Sequence, residues 1–166
     1  MNLKKQNQLK LIARWFEKSK EMKNVFDKFI ALWISFNSFY ACEHLHDSER
    51  KQLQIFGDTY KEFFKSVVDA NMSPFIDFKK YIDNKPKNSG FIQDLRYPVA
   101  KEKHKKRYYN LTSFCEYLKC VYQVRCNLFH GGKYLEDGQD ENIVKHCHST
   151  LLIFLEKLYE REKVFI

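Results

Sequence analysis

The stretch Phe29-Ile30-Ala31-Leu32-Trp33-Ile34-Ser35-Phe36-Asn37-Ser38-Phe39-Tyr40-Ala41-Cys42 carries no charge and is the longest such run in the chain. At about 1.5 Å of rise per residue it falls short of the roughly 20 apolar residues that a bilayer core requires. Its apolar side chains point in nearly every helical direction, which predicts a helix over about residues 24 to 43 buried around most of its girth. Such a helix needs neighbours on several sides. The composition supplies them: of 166 residues 44% are hydrophobic and 16% aromatic, too apolar a mixture for a disordered chain. Five Gly and three Pro are too few for the turns of a β-sandwich or barrel. The expectation is a single all-α domain over residues 1–166, a bundle of about five to six helices.

Working outward from the central stretch, Leu9, Ile12, Trp15 and Phe16 recur at helical spacing and predict an amphipathic helix over about 3 to 22. His46-Asp47-Ser48 supplies capping chemistry for a helix over about 48 to 71, with Leu53, Phe56, Tyr60, Phe63, Phe64 and Val67 inward and Gly57 as an interior weak point. Ser73-Pro74 opens a short helix through about Ile82. Residues 91 to 109 show no period and read as one long irregular connection, a kind of segment that often carries function. Asn110 is placed to cap a helix over about 111 to 130, ended by Gly131-Gly132, and a last helix covers about 140 to 162.

Lys and Arg outnumber Asp and Glu by 29 to 21, and the resulting +8 raises the expectation of an anionic partner, nucleic acid first. Arg14, Glu17 and Lys18 interrupt any signal-peptide apolar region after Lys4 and Lys5, and five cysteines are an odd set for a disulfide framework. The reading expects reduced thiols, no membrane and a cytoplasmic address.

Chemistry concentrates in Val124-Arg125-Cys126-Asn127-Leu128-Phe129-His130-Gly131-Gly132-Lys133, where polar and cationic groups crowd the end of an apolar helix. Asn127 and His130 share a face at i,i+3, and a long Arg125 side chain can reach toward His130. The glycine pair leaves room for an extended ligand.

This stretch resembles the diagnostic element of the HEPN superfamily, an Arg followed after four to six residues by a His, here Arg125 and His130. Lys28 to Tyr40 is similar to the second-helix pattern of the Apea-like branch, and the likeness extends over about residues 10 to 160. It implies an HEPN-like helical bundle with a long basic loop before the motif helix, dimerisation through the motif helices, and in many members a metal-independent endoribonuclease of defence or toxin systems. An antitoxin or other defence-system protein is then an expected partner. The residues suit that chemistry. RNA brings its own nucleophile, the 2′-hydroxyl, so the protein needs a proton acceptor, His130, and a cation at the phosphate, Arg125. Asn127 is expected to orient the histidine or the phosphate, and Lys133 to add charge. Neither cofactor nor metal is implied. Many catalytic members carry Asn, Asp or His directly after the motif Arg, whereas this chain has Cys126, with Asn127 one position later.

Arg96, Lys101, Lys103, Lys105, Lys106 and Arg107 against Glu102 hold much of the positive surplus. Of these, Lys101, Lys103, Lys105, Lys106 and Arg107 are the expected RNA-binding residues, with Tyr97, Tyr108 and Tyr109 beside them to stack on bases. The competing readings are a solvated loop and, for the whole chain, a non-catalytic HEPN module that binds RNA or a protein. A Cys126–His130 nucleophilic pair and a toxin silenced by modification at Tyr134 are two further readings. His44 with His46, and His146 with His148, lack ligand spacing, because residues two apart on a helix point in opposite directions.

Overall fold

The computed structural model describes residues 3–41, 48–130 and 138–164, and shows an all-α bundle. Its helices are α1 (Leu3–Glu21), α2 (Val25–Tyr40), α3 (Glu49–Ala70), α4 (Met72–Asn84), α5 (Phe114–His130) and α6 (Gly138–Arg161), with two-residue strands β1 (Ile92–Gln93) and β2 (Lys105–Lys106) between α4 and α5. The His44, His46 and Tyr134 readings, and the caps at His46 and Asp47, lie outside the described residues. Among the described residues no helix is long and apolar enough to cross a membrane.

α2 is buried along much of its length, whereas α6 lies against α2, α3, α4 and α5. α2 packs between α1 and α6, while α3 lies on α5 and α4 on α6. Phe29, Leu32, Trp33, Phe36 and Tyr40 are buried along α2. Asn24 caps its start by accepting the Phe26 N–H at 2.8 Å. One polar side chain sits deep in this layer: Ser35 donates to the Ile12 carbonyl at 2.8 Å and lies 3.0 Å from the Tyr159 hydroxyl, which joins α1, α2 and α6. On the far side of the core the rings of Phe64 and Phe114 stack at 4.4 Å, and Phe154 of α6 meets Phe114 at 4.7 Å.

Several boundaries differ from the sequence reading for identifiable reasons. Asn71 alone separates α3 from α4, with its amide donating back to the Val67 carbonyl at 3.0 Å, so Ser73 and Pro74 fall inside the first turn of α4. That is where proline is tolerated. Asn110 does not cap α5. It forms a turn of its own, its Oδ1 accepting from Thr112 N at 3.0 Å, and α5 begins at Phe114 with the Ser113 carbonyl accepting its first backbone bond from Tyr117 at 3.0 Å. The irregular connection contains a hairpin: β1 and β2 pair antiparallel, Ile92 opposite Lys106 and Gln93 opposite Lys105, closed by a 3-10 turn over Glu102–His104.

Gly57 faces α5 at close range. A Cβ there would stand 3.0 Å from Cys115 Sγ and 3.4 Å from Leu118 Cδ1. Gly57→Val is therefore expected to overpack the α3–α5 contact and cost about 1–3 kcal/mol, read as a lower midpoint in urea with an unchanged slope.

Candidate functional site

Arg125 projects from the last turns of α5 toward α2 and the start of α3. Its guanidinium lies 5.0 Å from the Phe129 ring centre, 5.8 Å from Trp33 and 5.9 Å from Tyr122, a recess with aromatic walls. Nη1 donates to Glu49 Oε2 at 3.2 Å, in an ion pair whose side chains are only 23% and 26% exposed. Glu49 is held in turn from α2: the Tyr40 hydroxyl donates to its Oε1 at 2.9 Å and Asn37 Nδ2 at 3.4 Å. Burial raises the Tyr40 phenol far above its ordinary range, and the Glu49 charge adds to that. Tyr40 is thus a fixed hydrogen-bond donor at any physiological pH.

Asn127 points to another side of α5, where the hairpin docks. Its Nδ2 donates to the Gln93 carbonyl at 2.8 Å, and its Oδ1 accepts from Leu95 N at 3.2 Å and from Gln123 Nε2 at 3.0 Å. The amide is therefore engaged at both ends in fastening the basic segment to the motif helix. No bond of this kind links it to Arg125. His130 is the last residue of α5, and its side chain, with Gly131, Gly132 and Lys133, lies outside the described residues. Cys126, between Arg125 and Asn127, is 5% exposed. Burial first, then a hydrogen bond with the Cys126 thiol, pushes Tyr122 up to about 12.

The basic segment is less bare than its composition suggests. Glu102 receives Lys105 Nζ at 3.0 Å and Arg107 Nη2 at 3.0 Å. Arg96 forks onto Asp94 through Nε at 2.9 Å and Nη2 at 2.6 Å, which holds the Asp94 carboxyl below its usual range. Lys106 Nζ donates to the Lys103 carbonyl at 2.8 Å. Lys101 and Lys103 are exposed and form no ion pair with the described residues. The cationic surface extends past the hairpin to residues that the sequence pattern did not single out. Burial lowers Lys106 from its ordinary value, and the charges of Arg50 at the start of α3 and Lys119 on α5 add to that.

The three tyrosines separate. Tyr108 is buried with its hydroxyl on the Leu111 carbonyl, so no base can stack on it. Tyr97 has one face taken by His104, at 3.7 Å and 6°. Tyr109 is exposed. His146 and His148 diverge as their spacing requires: His146 stacks near Phe78 and Tyr81, and His148 faces the start of α2 beside Lys28. Among the described residues no three His, Cys, Asp or Glu side chains gather as a metal site would need.

No family model, no curated protein and no solved structure matches the chain. The site therefore rests on its own residues.

Two outcomes check this geometry. Asn127→Ala removes the partners of Gln93 O and Leu95 N, so it should cost about 1–3 kcal/mol and speed proteolysis between Leu95 and Lys101. His104 accepts the Lys101 N–H at Nδ1 (3.3 Å), and burial first, with Lys103 next, holds its pKa below the free value. A depressed folded value means this contribution is present above about pH 6.5 and is lost as pH falls through the folded value. NMR titration should place the His104 midpoint below that of free histidine; a midpoint above it would show that the ring is not held neutral.

Proposed function

We propose that the chain is a metal-independent endoribonuclease of HEPN type, serving a defence or toxin system in the cytoplasm and working as a homodimer. The observation that carries this reading is the pair of Asn127 bonds to Gln93 and Leu95. They attach the basic hairpin to the helix that carries Arg125 and ends at His130, so the segment suited to holding a strand and the residues suited to cutting it share α5 as their support, on different sides of it. In the reaction His130 accepts the proton of a 2′-hydroxyl, whose oxygen then bonds to the adjacent phosphorus. The bond from phosphorus to the 5′-oxygen breaks, and that oxygen takes a proton from an imidazolium or from water. The products are a 2′,3′-cyclic phosphate and a 5′-hydroxyl. Arg125 balances the charge that builds on the non-bridging oxygens. The nucleophile belongs to the substrate, so no metal-activated water is needed. A two-fold axis near the end of α5 would place two such sets around one phosphate. An antitoxin or other defence-system protein is the natural regulator of such an activity.

A second reading has an observation of its own. Cys126 follows Arg125 directly, and the next polar side chain, Asn127, is engaged by the hairpin and by Gln123. On that reading the domain holds RNA, or a protein, without cutting it.

Incubation with single-stranded and structured RNA in EDTA separates the two. The ribonuclease reading expects cyclic-phosphate ends from the wild type and none from His130→Ala, with RNA affinity nearly unchanged in the variant. RNA bound equally by both and cut by neither supports the binding module. Lys101→Gln with Lys103→Gln should flatten the salt dependence of binding by about 0.7 in logarithmic slope per lost phosphate contact. Lys105→Gln should change it less, since Glu102 already balances that charge. Equal slopes in all three proteins would make the hairpin a solvated loop.

A further inference from the structure

The way Arg125 is held says more than that it is present. Its guanidinium has five N–H donors, and two edges of it are treated differently. Nη1 is tied to Glu49 Oε2 at 3.2 Å, with Cys126 Sγ at 3.9 Å, whereas Nε is buried with no hydrogen-bond partner among the described residues. An open buried donor costs free energy and calls for an explanation. The edge that contains Nε is the fork that matches two oxygens of a phosphate. Of the three rings around the guanidinium, Phe129 is the nearest, and it is 54% exposed.

Glu49 is placed to determine which edge is tied. It stands in the first turn of α3, where the helix dipole favours a carboxylate. Its second oxygen is anchored by Tyr40 and Asn37, and Asn37 Nδ2 also donates to the Tyr40 hydroxyl at 2.7 Å. A carboxylate fixed from two helices fixes the guanidinium on a third. We propose that Glu49 is the positioning residue of Arg125: it holds Nη1 and so fixes the orientation in which the guanidinium, 23% exposed as a side chain, meets a phosphodiester. The proposal rests on the reading of Arg125 as the phosphate-binding residue, and it assigns to Glu49, with Tyr40 and Asn37 behind it, a part that lies outside the Arg125–His130 element.

The test uses the full chain with a single-stranded RNA and the same strand carrying 2′-deoxyribose, which binds but is not cut. Glu49→Gln keeps the shape and an acceptor for Tyr40 but loses the charge that holds Arg125. It should lower kcat on the order of 10²-fold while KM, and affinity for the deoxy strand, change by less than about 3-fold. Arg125→Ala should lose at least as much, and the double variant should be no slower than Arg125→Ala alone, because the two residues act as one unit. Tyr40→Phe, which keeps the core filled, should show a smaller loss of the same kind. Unchanged or faster turnover in Glu49→Gln, or losses that multiply in the double variant, would overturn the proposal. If the wild type leaves RNA intact, the ribonuclease reading fails by itself, and the Arg125 Nε–H signal in ¹⁵N NMR then decides about Glu49. A signal that shifts and exchanges faster in Glu49→Gln supports the hold; an unchanged signal refutes it.

Discussion

A helix that is apolar on nearly every side cannot remain in water, and the burial of α2 is the constraint from which the rest of this molecule follows. Fully burying a Leu or Phe side chain contributes about 1.5–3 kcal/mol, and α2 buries Phe29, Leu32, Trp33, Phe36 and Tyr40 together. That can be done only by surrounding the helix, and α1 and α6 lie against it accordingly. The same demand sets the candidate site. The end of α2 that carries Trp33, Asn37 and Tyr40 meets the start of α3 and the last turns of α5, and the aromatic surface of α2 supplies one wall of the Arg125 recess.

Placing a guanidinium there has an electrostatic cost that the site meets in a specific way. A partly buried charge must be paired, and removing one partner of such a pair leaves the other stranded. Glu49 provides the pairing, the aromatic rings provide further attraction through their faces, and the Nε donor is left without a partner among the described residues. At the hairpin the balance is different. Exposed ammonium groups on Lys101 and Lys103 need no pairing because water solvates them, and exposed ion pairs such as Lys105–Glu102 contribute about 0–1 kcal/mol. Arg125 is thus a held charge, and Lys101 and Lys103 are solvated ones. A held charge suits a geometrically demanding step, and solvated surface charges suit attraction of a polyanion.

The helical class, the burial of α2 and the approximate extents of six helices were legible because apolar periodicity is a local property that any packing must respect. Tyr60 and Phe63 of α3, expected inward, do pack against the core, though only partly buried. The hairpin within residues 91 to 109 was not legible. Its strands are two residues long, too short for alternation to show, β2 is Lys105-Lys106, and it is the remote Asn127 that ties β1 to α5. Gly57 was read as a weakness for a similar reason: helix propensity is local, whereas the need for a missing side chain comes from Cys115 and Leu118 on another helix.

The candidate site divides along the same line. The sequence by itself placed Arg125, Asn127 and His130 on one apolar helix and gathered the basic residues before it, because residue type and spacing along a helix are enough for that. Tertiary structure alone could turn Asn127 toward Gln93 and Leu95, bury Tyr108, and bring Glu49 across 76 positions to Arg125. Those contacts join segments far apart in the chain. Their geometry is set by how the helices stack on one another, and no local pattern of residues encodes it.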